Sequence, residues 1–108
     1  MIKAFISQPM TGLTQNEIEE TREKAIKDLY SIYGEDITVL EQGCKPFNPN
    51  VEIPHLDVLA DDLKVLSHAN LMYLCNGWEL SRGCMVEYTC AKLFRIPLLF
   101  AEGAYNEK

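Results

Sequence analysis

Apolar and polar positions along the chain form two kinds of segment. Short, mainly apolar runs at residues 2–7, 36–41, 70–75 and 96–101 predict buried β-strands. Longer stretches between them repeat apolar residues every three or four positions, which predicts amphipathic helices. Alternating strands and helices are typical of an α/β protein with a parallel sheet.

The first predicted helix has a signal at each end. Thr14 and Glu17 have the spacing of a capping box, in which each side chain bonds the backbone amide of the other residue. Gly34 is a C-terminal stop signal. The apolar face is predicted to comprise Ile18, Ala25, Leu29, Ile32 and Tyr33.

Two further helices are predicted after a segment at residues 42–50, which we expect to be a loop because it contains two prolines and a glycine. The first of them follows Pro54. Its inward-facing residues are predicted to be Leu56, Leu59, Leu63 and Leu66, and its solvated row Asp57, Asp61, Lys64 and His68. The other is predicted over residues 82–94, with one stripe formed by Gly83, Glu87, Ala91 and Phe94.

Two loops are candidates for a binding site. In open parallel sheets, ligands bind beyond the carboxyl ends of the strands. The loops at residues 7–12 and 76–83 follow the first and third strands, and we expect them to lie side by side. They are therefore the segments in which chemistry-bearing side chains are of most interest.

Length, charge and cysteine spacing indicate a single-domain protein with no nucleic acid polymer as a partner, no membrane span and no metal site. A length of 108 residues predicts a single domain over residues 1–108, and the net charge of -6 argues against a nucleic acid polymer as a partner. No apolar run approaches the roughly 18 residues of a membrane span, and no signal peptide is recognised, so a cytoplasmic protein is expected. The four cysteines (Cys44, Cys75, Cys84 and Cys90) form no C-x-x-C pair, and His55 and His68 lack ligand spacing with them. We expect reduced, buried thiols and no metal.

Known catalytic motifs are missing from the two loops. Neither has the glycine pattern of a phosphate-binding cradle, and no G-x-S-x-G elbow occurs, so no cofactor is expected and carboxylate chemistry remains. The segment GWELSRGCMVEY at residues 77–88 contains two candidates, Glu79 and Glu87. Glu87 is favoured because Met85 and Val86 beside it are apolar, and a buried carboxylate needs hydrogen bonds or a function. Glu79 is expected at the rim of the site or as a helix cap.

Three segments of the chain resemble, in order and spacing, the small phage and bacterial DUF4406 proteins, which look like members of the nucleoside 2-deoxyribosyltransferase superfamily. The segments are KAFISQPMTGLT, DDLKVLSHANLMYL and GWELSRGCMVEYTCAKL. The most specific part is the pattern Ser-x-Gly-x-x-x-Glu-x-x-x-Ala, filled by Ser81, Gly83, Glu87 and Ala91. The loop after the first strand is also similar, although relatives usually have glycine at the position of Gln8.

The resemblance implies a flavodoxin-like three-layer sandwich with a parallel sheet of four to five strands. It also implies that Glu87 attacks the anomeric carbon of a (deoxy)nucleoside or nucleotide and displaces the base, with water giving hydrolysis and a second base giving exchange. A homo-oligomer is implied as well. The residues expected to bind substrate are Ser7, Gln8, Pro9, Met10, Asn70, Gly77, Trp78, Ser81 and Gly83.

Some of these residues have a stated role. Ser7 and the backbone of the SQPMTG loop, with Ser81 at a helix N-terminus, are expected to hold a ribose hydroxyl or a 5′-phosphate, because that terminus favours anions. Trp78 is expected either to stack on the base or to cover the end of the sheet.

Two positions depart from the pattern of many relatives, in which tyrosine occurs at the position of Phe5 and aspartate at the position of Asn70. An amide cannot act as a general acid, so another acid would be needed if that aspartate protonates the leaving base. Asp61, Asp62 and a residue of a neighbouring subunit are the alternatives. A catalytically silent module that binds a nucleotide or a related metabolite is therefore the alternative function.

Overall fold

Four parallel strands and three helices make up the described part of the chain. The computed structural model describes residues 1–42 and 50–106. The strands are β1 (Ile2–Ser7), β2 (Ile37–Val39), β3 (Leu71–Leu74) and β4 (Leu98–Phe100), and the helices are α1 (Gln15–Tyr33), α2 (Pro54–Leu66) and α3 (Arg82–Leu93). Short 3-10 turns occur at Gly34–Asp36 and Trp78–Leu80. Of the loop predicted at residues 42–50, all but the first and last residues lie outside the described residues, and so does Cys44.

The sheet has the strand order β2-β1-β3-β4, and all its pairs are parallel. This order and direction are those of a flavodoxin-like fold, and the sheet has four strands, as predicted. Ser7 lies opposite Leu74, and Leu74 lies opposite Phe100. The carboxyl ends of β1, β3 and β4 therefore form one edge, which we call the carboxyl edge.

The helices cover both faces of the sheet, which gives three layers. One face packs against α1 through a cluster of buried residues, which are Ala4, Ile6, Ala25, Leu29, Ile37, Leu71, Tyr73 and Cys75. The other face packs against α2 and α3 through a second cluster, which comprises Phe5, Leu66, Met72, Leu74, Trp78, Cys84, Tyr88 and Ala91. Residues of β1 alternate between the clusters, as the pleat of a strand requires, so Phe5 and Ser7 share the face that carries α3.

Helix α1 begins and ends at the predicted signals, but its apolar face is narrower than predicted. Thr14 and Glu17 form the capping box, and Gly34 is the C-terminal cap. Ala25 and Leu29 are buried and Tyr33 packs against the same core cluster, whereas Ile32 is 56% exposed. Ala25, Leu29 and Tyr33 recur every four residues and take the inward positions, so Ile32 lies beside this stripe and faces outwards.

Two other apolar side chains predicted to face the core are exposed. Leu56 is 53% exposed in the first turn of α2, one turn before Leu59, the leucine that approaches α3. Phe94 is 79% exposed because α3 ends at Leu93. In residues 1–42 and 50–106, no helix combines the length and the apolar character that crossing a membrane requires.

Candidate functional site

Strand β1 and helix α3 meet at a buried pair of polar side chains. Ser7 is the last residue of β1 and is fully buried, and Glu87 is 5% exposed. The Ser7 hydroxyl donates a hydrogen bond of 2.7 Å to Oε1 of Glu87. The Glu87 carboxyl group therefore lies at the carboxyl edge of the sheet.

Glu87 is buried for a different reason from the one that its sequence neighbours suggested. Met85 and Val86, whose apolar character favoured Glu87, are 40% and 39% exposed. The buried face of α3 consists of Cys84, Glu87, Tyr88 and Ala91, which recur at steps of three and four. Glu87 is buried because it lies on the face of the helix that packs against the sheet.

Burial changes the acidity of this carboxyl group. Loss of hydration, the largest cause, and the negative charge of Asp62 together raise the pKa of Glu87 to about 7. The hydrogen bond from Ser7 acts in the opposite direction because it stabilises the charged form. A carboxyl group with a pKa near 7 is about half ionised at neutral pH, which suits acid, base or nucleophilic chemistry.

A second carboxyl group, that of Asp62 on α2, belongs to the same electrostatic cluster. Asp62 is half-buried, and burial followed by the charge of Asp61 raises its pKa to about 6. The sequence offered Asp61 and Asp62 as possible acids without choosing between them. The missing signal was helical spacing, because Asp62 falls on the stripe that also contains Leu59, Leu63 and Leu66.

Cys84, which was predicted only to be a buried thiol, also interacts with Glu87. Burial raises the pKa of the Cys84 thiol, whereas hydrogen bonds with Ser7 and Ser81 lower it. The negative charges of Glu87 and Asp62 raise it again. Cys84 is thus a neutral thiol that links the Ser7–Glu87 pair to the start of α3. Cys75, Cys84 and Cys90 are free thiols.

The N-terminus of α3 is closed by its own residues. The Ser81 hydroxyl accepts a hydrogen bond of 3.3 Å from the Cys84 amide, as an N-cap does. Gly83, predicted to bind substrate, instead faces α2, where an added Cβ would lie 4.0 Å from Leu59 Cδ1. Gly77 has a φ of +84° and requires glycine, since this left-handed conformation is unfavourable for other residues.

A groove runs between the two loops that the sequence singled out. Its volume is about 270 Å³. It is lined by Pro9, Thr11 and Leu13 of the loop after β1, and by Asn76, Gly77, Leu80 and Ser81 of the segment after β3. The two loops are therefore neighbours, as predicted. Ser7 and Glu87 are buried and do not line the groove.

Two other residues predicted to bind substrate lie outside the groove lining. Gln8 is 7% exposed, and its Nε2 donates a hydrogen bond of 3.0 Å to the Ile18 carbonyl, so it anchors the loop to α1. The Gln8 Oε1 atom is buried without a hydrogen-bond partner. Met10 is 50% exposed near the groove but is not part of its lining.

Trp78 is a core residue. It is 1% exposed, its ring packs at 4.5 Å from that of Tyr88 and 5.8 Å from that of Phe100, and its Nε1 donates a hydrogen bond to the Tyr105 carbonyl. Of the two roles expected for Trp78, the structure fits the covering of the sheet end. No face of the ring is open for a base to stack on it.

Asn70 lies at the end of the sheet opposite the carboxyl edge. It precedes β3, and it accepts a hydrogen bond of 2.8 Å from the Lys3 amide at the start of β1. Four residues of extended chain, about 13 Å, separate it from the end of β3. The structure therefore does not bring Asn70 together with Ser7 and Glu87, and its role in substrate binding stays a prediction.

Comparison with protein families gives one match. The family described as domain of unknown function DUF4406 matches residues 2–100. The chain belongs to the DUF4406 family. Neither the curated proteins nor the solved structures include a match to it.

In this DUF4406 protein, the departure at Phe5 lies closer to the site than the departure at Asn70. Phe5 is fully buried and points to the same face of the sheet as Ser7, in the cluster that contains Cys84 and Tyr88. A side chain at position 5 is thus directed towards α3. Phe5 contributes no hydroxyl group there, so Ser7 supplies the hydrogen bond that Glu87 receives.

Proposed function

We propose that this protein cleaves or exchanges the N-glycosidic bond of a (deoxy)nucleoside or nucleotide, with Glu87 as the nucleophile. The observation that carries the proposal is the state of the Glu87 carboxyl group. It is buried at the carboxyl edge, it has a pKa of about 7, and it accepts a hydrogen bond from Ser7. A carboxylate held in this way is suited to attack at an anomeric carbon.

The reaction consists of two displacements. In the first, an oxygen of ionised Glu87 bonds to the anomeric carbon while the bond from that carbon to the base nitrogen breaks. The electron pair leaves with the base, which takes a proton from Asp62 in its acid form. In the second, water or another base attacks the same carbon, the ester to Glu87 breaks, and the attacking group returns its proton to Asp62.

The choice of Asp62 as the acid rests on its environment. Its pKa is raised to about 6, and its charge acts on Glu87. Asp62 therefore retains a proton at a pH where an exposed aspartate has lost it. Because Glu87 is 5% exposed, the mechanism also requires the residues that cover it to move aside when the sugar enters.

The proposal is tested by incubating the protein with a panel of 2′-deoxynucleosides and their 5′-monophosphates. Free base is measured by chromatography. Base exchange is measured by adding a second base and detecting the new nucleoside, and a covalent sugar adduct is measured by the intact mass of the protein. We expect one or more of these products with wild type and none with Glu87→Gln. Glu79→Gln is the matched control, because it changes the other glutamate of the same segment, and it is expected to retain activity. An adduct that survives Glu87→Gln would refute the nucleophile.

The second candidate function is a catalytically silent module that binds a nucleotide or a related metabolite. The closed state of Glu87 and the absence of a hydroxyl at Phe5 favour it. It becomes the better description if no substrate of the panel gives free base, exchange or adduct, while calorimetry still detects binding of a nucleoside or nucleotide.

We also propose a homo-oligomer in the cytoplasm. Four large apolar side chains are exposed on or just after α3, namely Met85, Val86, Leu93 and Phe94. Apolar side chains exposed together are typical of protein interfaces. Sedimentation velocity is expected to show an oligomer that Leu93→Arg dissociates, and a wild-type monomer would contradict this part of the proposal. The free thiols of Cys75, Cys84 and Cys90 suit a reducing compartment.

A further inference from the structure

A second cavity lies at the carboxyl edge, on the face of the sheet that packs against α1, whereas Glu87 lies on the opposite face. Its volume is about 160 Å³. The residues that line it are Thr21, Lys24 and Ala25 of α1, Tyr73 of β3, and Cys75, Asn76 and Ala101 just after the strand ends. Ala25, Tyr73 and Cys75 belong to the core cluster between the sheet and α1. The cavity is therefore separate from the Ser7–Glu87 pair.

Small side chains border this cavity. Ala25 faces the sheet from α1, and Cys75 and Ala101 follow the ends of β3 and β4. Protein interiors are normally packed so closely that few voids larger than a water molecule remain. A water molecule takes up about 30 Å³ in the liquid, so this cavity has room for about five water molecules. It could equally hold one small ion of about five non-hydrogen atoms.

Two cations act on the cavity. Lys24 is part of its lining. Burial raises the pKa of the Cys75 thiol to about 12, and the positive charge of Arg22 acts on it in the opposite direction. The Arg22 guanidinium donates hydrogen bonds to Gln42 Oε1 and to the Leu40 carbonyl, which are neutral acceptors. Within the part of the chain that the structure describes, neither Lys24 nor Arg22 forms an ion pair. Their charges therefore favour an anion in the cavity.

The other groups of the lining suit an anion with oxygen atoms. The Thr21 hydroxyl is a hydrogen-bond donor beside Lys24. Cys75 is a neutral thiol because its pKa is raised, and burial together with the hydrogen bond to Asp28 raises the pKa of Tyr73, so neither group brings a negative charge. The opposing charge is that of Asp28, whose Oδ2 accepts a hydrogen bond of 2.5 Å from the Tyr73 hydroxyl. Asp28 is not part of the lining.

We propose that this cavity binds a small oxyanion such as inorganic phosphate, with the Lys24 ammonium as its counter-charge and the Thr21 hydroxyl as a hydrogen-bond donor. Thr21 and Lys24 are three residues apart on α1, so their side chains lie on the same face of the helix. The proposal does not depend on the N-glycosidic activity. Asn76 lines both this cavity and the groove between the two loops, so the two spaces meet at this residue.

The experiment titrates the nitrogen-15-labelled protein with sodium phosphate at neutral pH and constant ionic strength, and it follows the backbone amide signals by NMR. Sodium sulfate and sodium acetate are titrated in parallel, to show whether the site takes a tetrahedral oxyanion or a carboxylate. The variants are Lys24→Gln, Thr21→Val and Asp28→Asn. Lys27→Gln is the matched control, because Lys27 is exposed on the same helix, does not line the cavity, and changes the net charge by the same amount.

The amide signals expected to shift to saturation in wild type are those of Thr21, Lys24, Cys75 and Asn76. Lys24→Gln is expected to weaken binding about fivefold to tenfold, and Thr21→Val about twofold to threefold. Asp28→Asn keeps an oxygen acceptor for the Tyr73 hydroxyl but removes a negative charge, so it is expected to strengthen binding by up to about fivefold. Lys27→Gln is expected to stay within about twofold of wild type.

The proposal is overturned if none of the three anions gives a saturable shift, or if the signals that shift belong to another part of the protein, such as the start of α3. It is also overturned if Lys24→Gln and Lys27→Gln weaken binding equally, or if Asp28→Asn weakens it. The melting temperature of each variant is measured alongside. Because Lys24 is exposed, Lys24→Gln is expected to melt at the same temperature as wild type, so a loss of binding is not a loss of the fold.

Discussion

The Ser7–Glu87 hydrogen bond allows a quantitative prediction about the acidity of the candidate nucleophile. Ser7→Ala removes the hydroxyl that donates a hydrogen bond of 2.7 Å to Oε1 of Glu87, and it leaves the carboxyl group buried. The lost hydrogen bond stabilised the ionised form. The pKa of Glu87 must therefore rise in the variant.

The size of the rise follows from the energy of such a bond. A hydrogen bond to a charged group contributes about 1.5–3 kcal/mol, and one pKa unit corresponds to about 1.4 kcal/mol. Ser7→Ala is thus expected to raise the pKa of Glu87 from about 7 by roughly one to two units. The ionised fraction at pH 7 then falls from about one half to between about 1% and 10%.

The assay is a carbon-13 NMR titration of the glutamate carboxyl carbons between pH 5 and 10, with the Glu87 signal assigned by its absence in Glu87→Gln. The matched control is Ser31→Ala, since Ser31 is exposed on α1. Activity at pH 7 is expected to fall about 5-fold to 50-fold in Ser7→Ala. An unchanged or lower pKa of Glu87 in Ser7→Ala would refute the reasoning, as would the same shift in Ser31→Ala.

Three further changes test the site and its packing. The pKa of Glu87 is raised from 4.5 to about 7 on folding. The stability that this group contributes is therefore complete below pH 4.5 and is lost as the pH rises through 7. Above pH 7, Glu87→Gln should be more stable than wild type. At pH 8 the free energy of unfolding of Glu87→Gln is expected to exceed that of wild type by about 3 kcal/mol. Urea denaturation measures both values, and equal values at pH 8 would contradict the prediction. Asp62→Asn should lower the pKa of Glu87 because it removes a nearby negative charge, whereas a rise in the same NMR titration would exclude the coupling. Trp78→Phe should destabilise the fold by about 1–3 kcal/mol, since it removes the hydrogen bond to the Tyr105 carbonyl, and unchanged denaturation would argue against the core role of Trp78.

The sequence predicted the elements of the fold because the local signals in this chain are strong. The capping box at Thr14 and Glu17, the stop at Gly34 and the apolar runs of β1 and β3 all indicate the same structure as the tertiary contacts. The errors in the core have two causes. Ile32 is exposed while Tyr33 beside it packs against the core, because periodicity did not decide which of the two faces the sheet, and Phe94 is exposed because α3 ends at Leu93.

The candidate site was less predictable than the fold because it depends on contacts between distant segments. Glu87 was singled out, although the apolar flanks that supported it are partly exposed. Asp62 was not placed, since its contribution depends on how α2 lies against α3. The position of Asn70 could not be predicted either, because a linear motif does not distinguish the two ends of a strand, whereas the sheet separates them.

The proposed reaction requires a particular protonation state of the two carboxyl groups, those of Asp62 and Glu87, and this state can be measured. Burial raises the pKa of both groups, that of Asp62 to about 6 and that of Glu87 to about 7, so both titrate near neutral pH. The proposed reaction needs Glu87 ionised and Asp62 protonated. A base bound beside Asp62 accepts its proton as a hydrogen bond and so favours the productive arrangement. Saturation with free adenine is therefore expected to lower the pKa of Glu87 in the NMR titration of wild type, but not in that of Asp62→Asn. An equal shift in both proteins would show that Asp62 does not carry the proton that the leaving base needs.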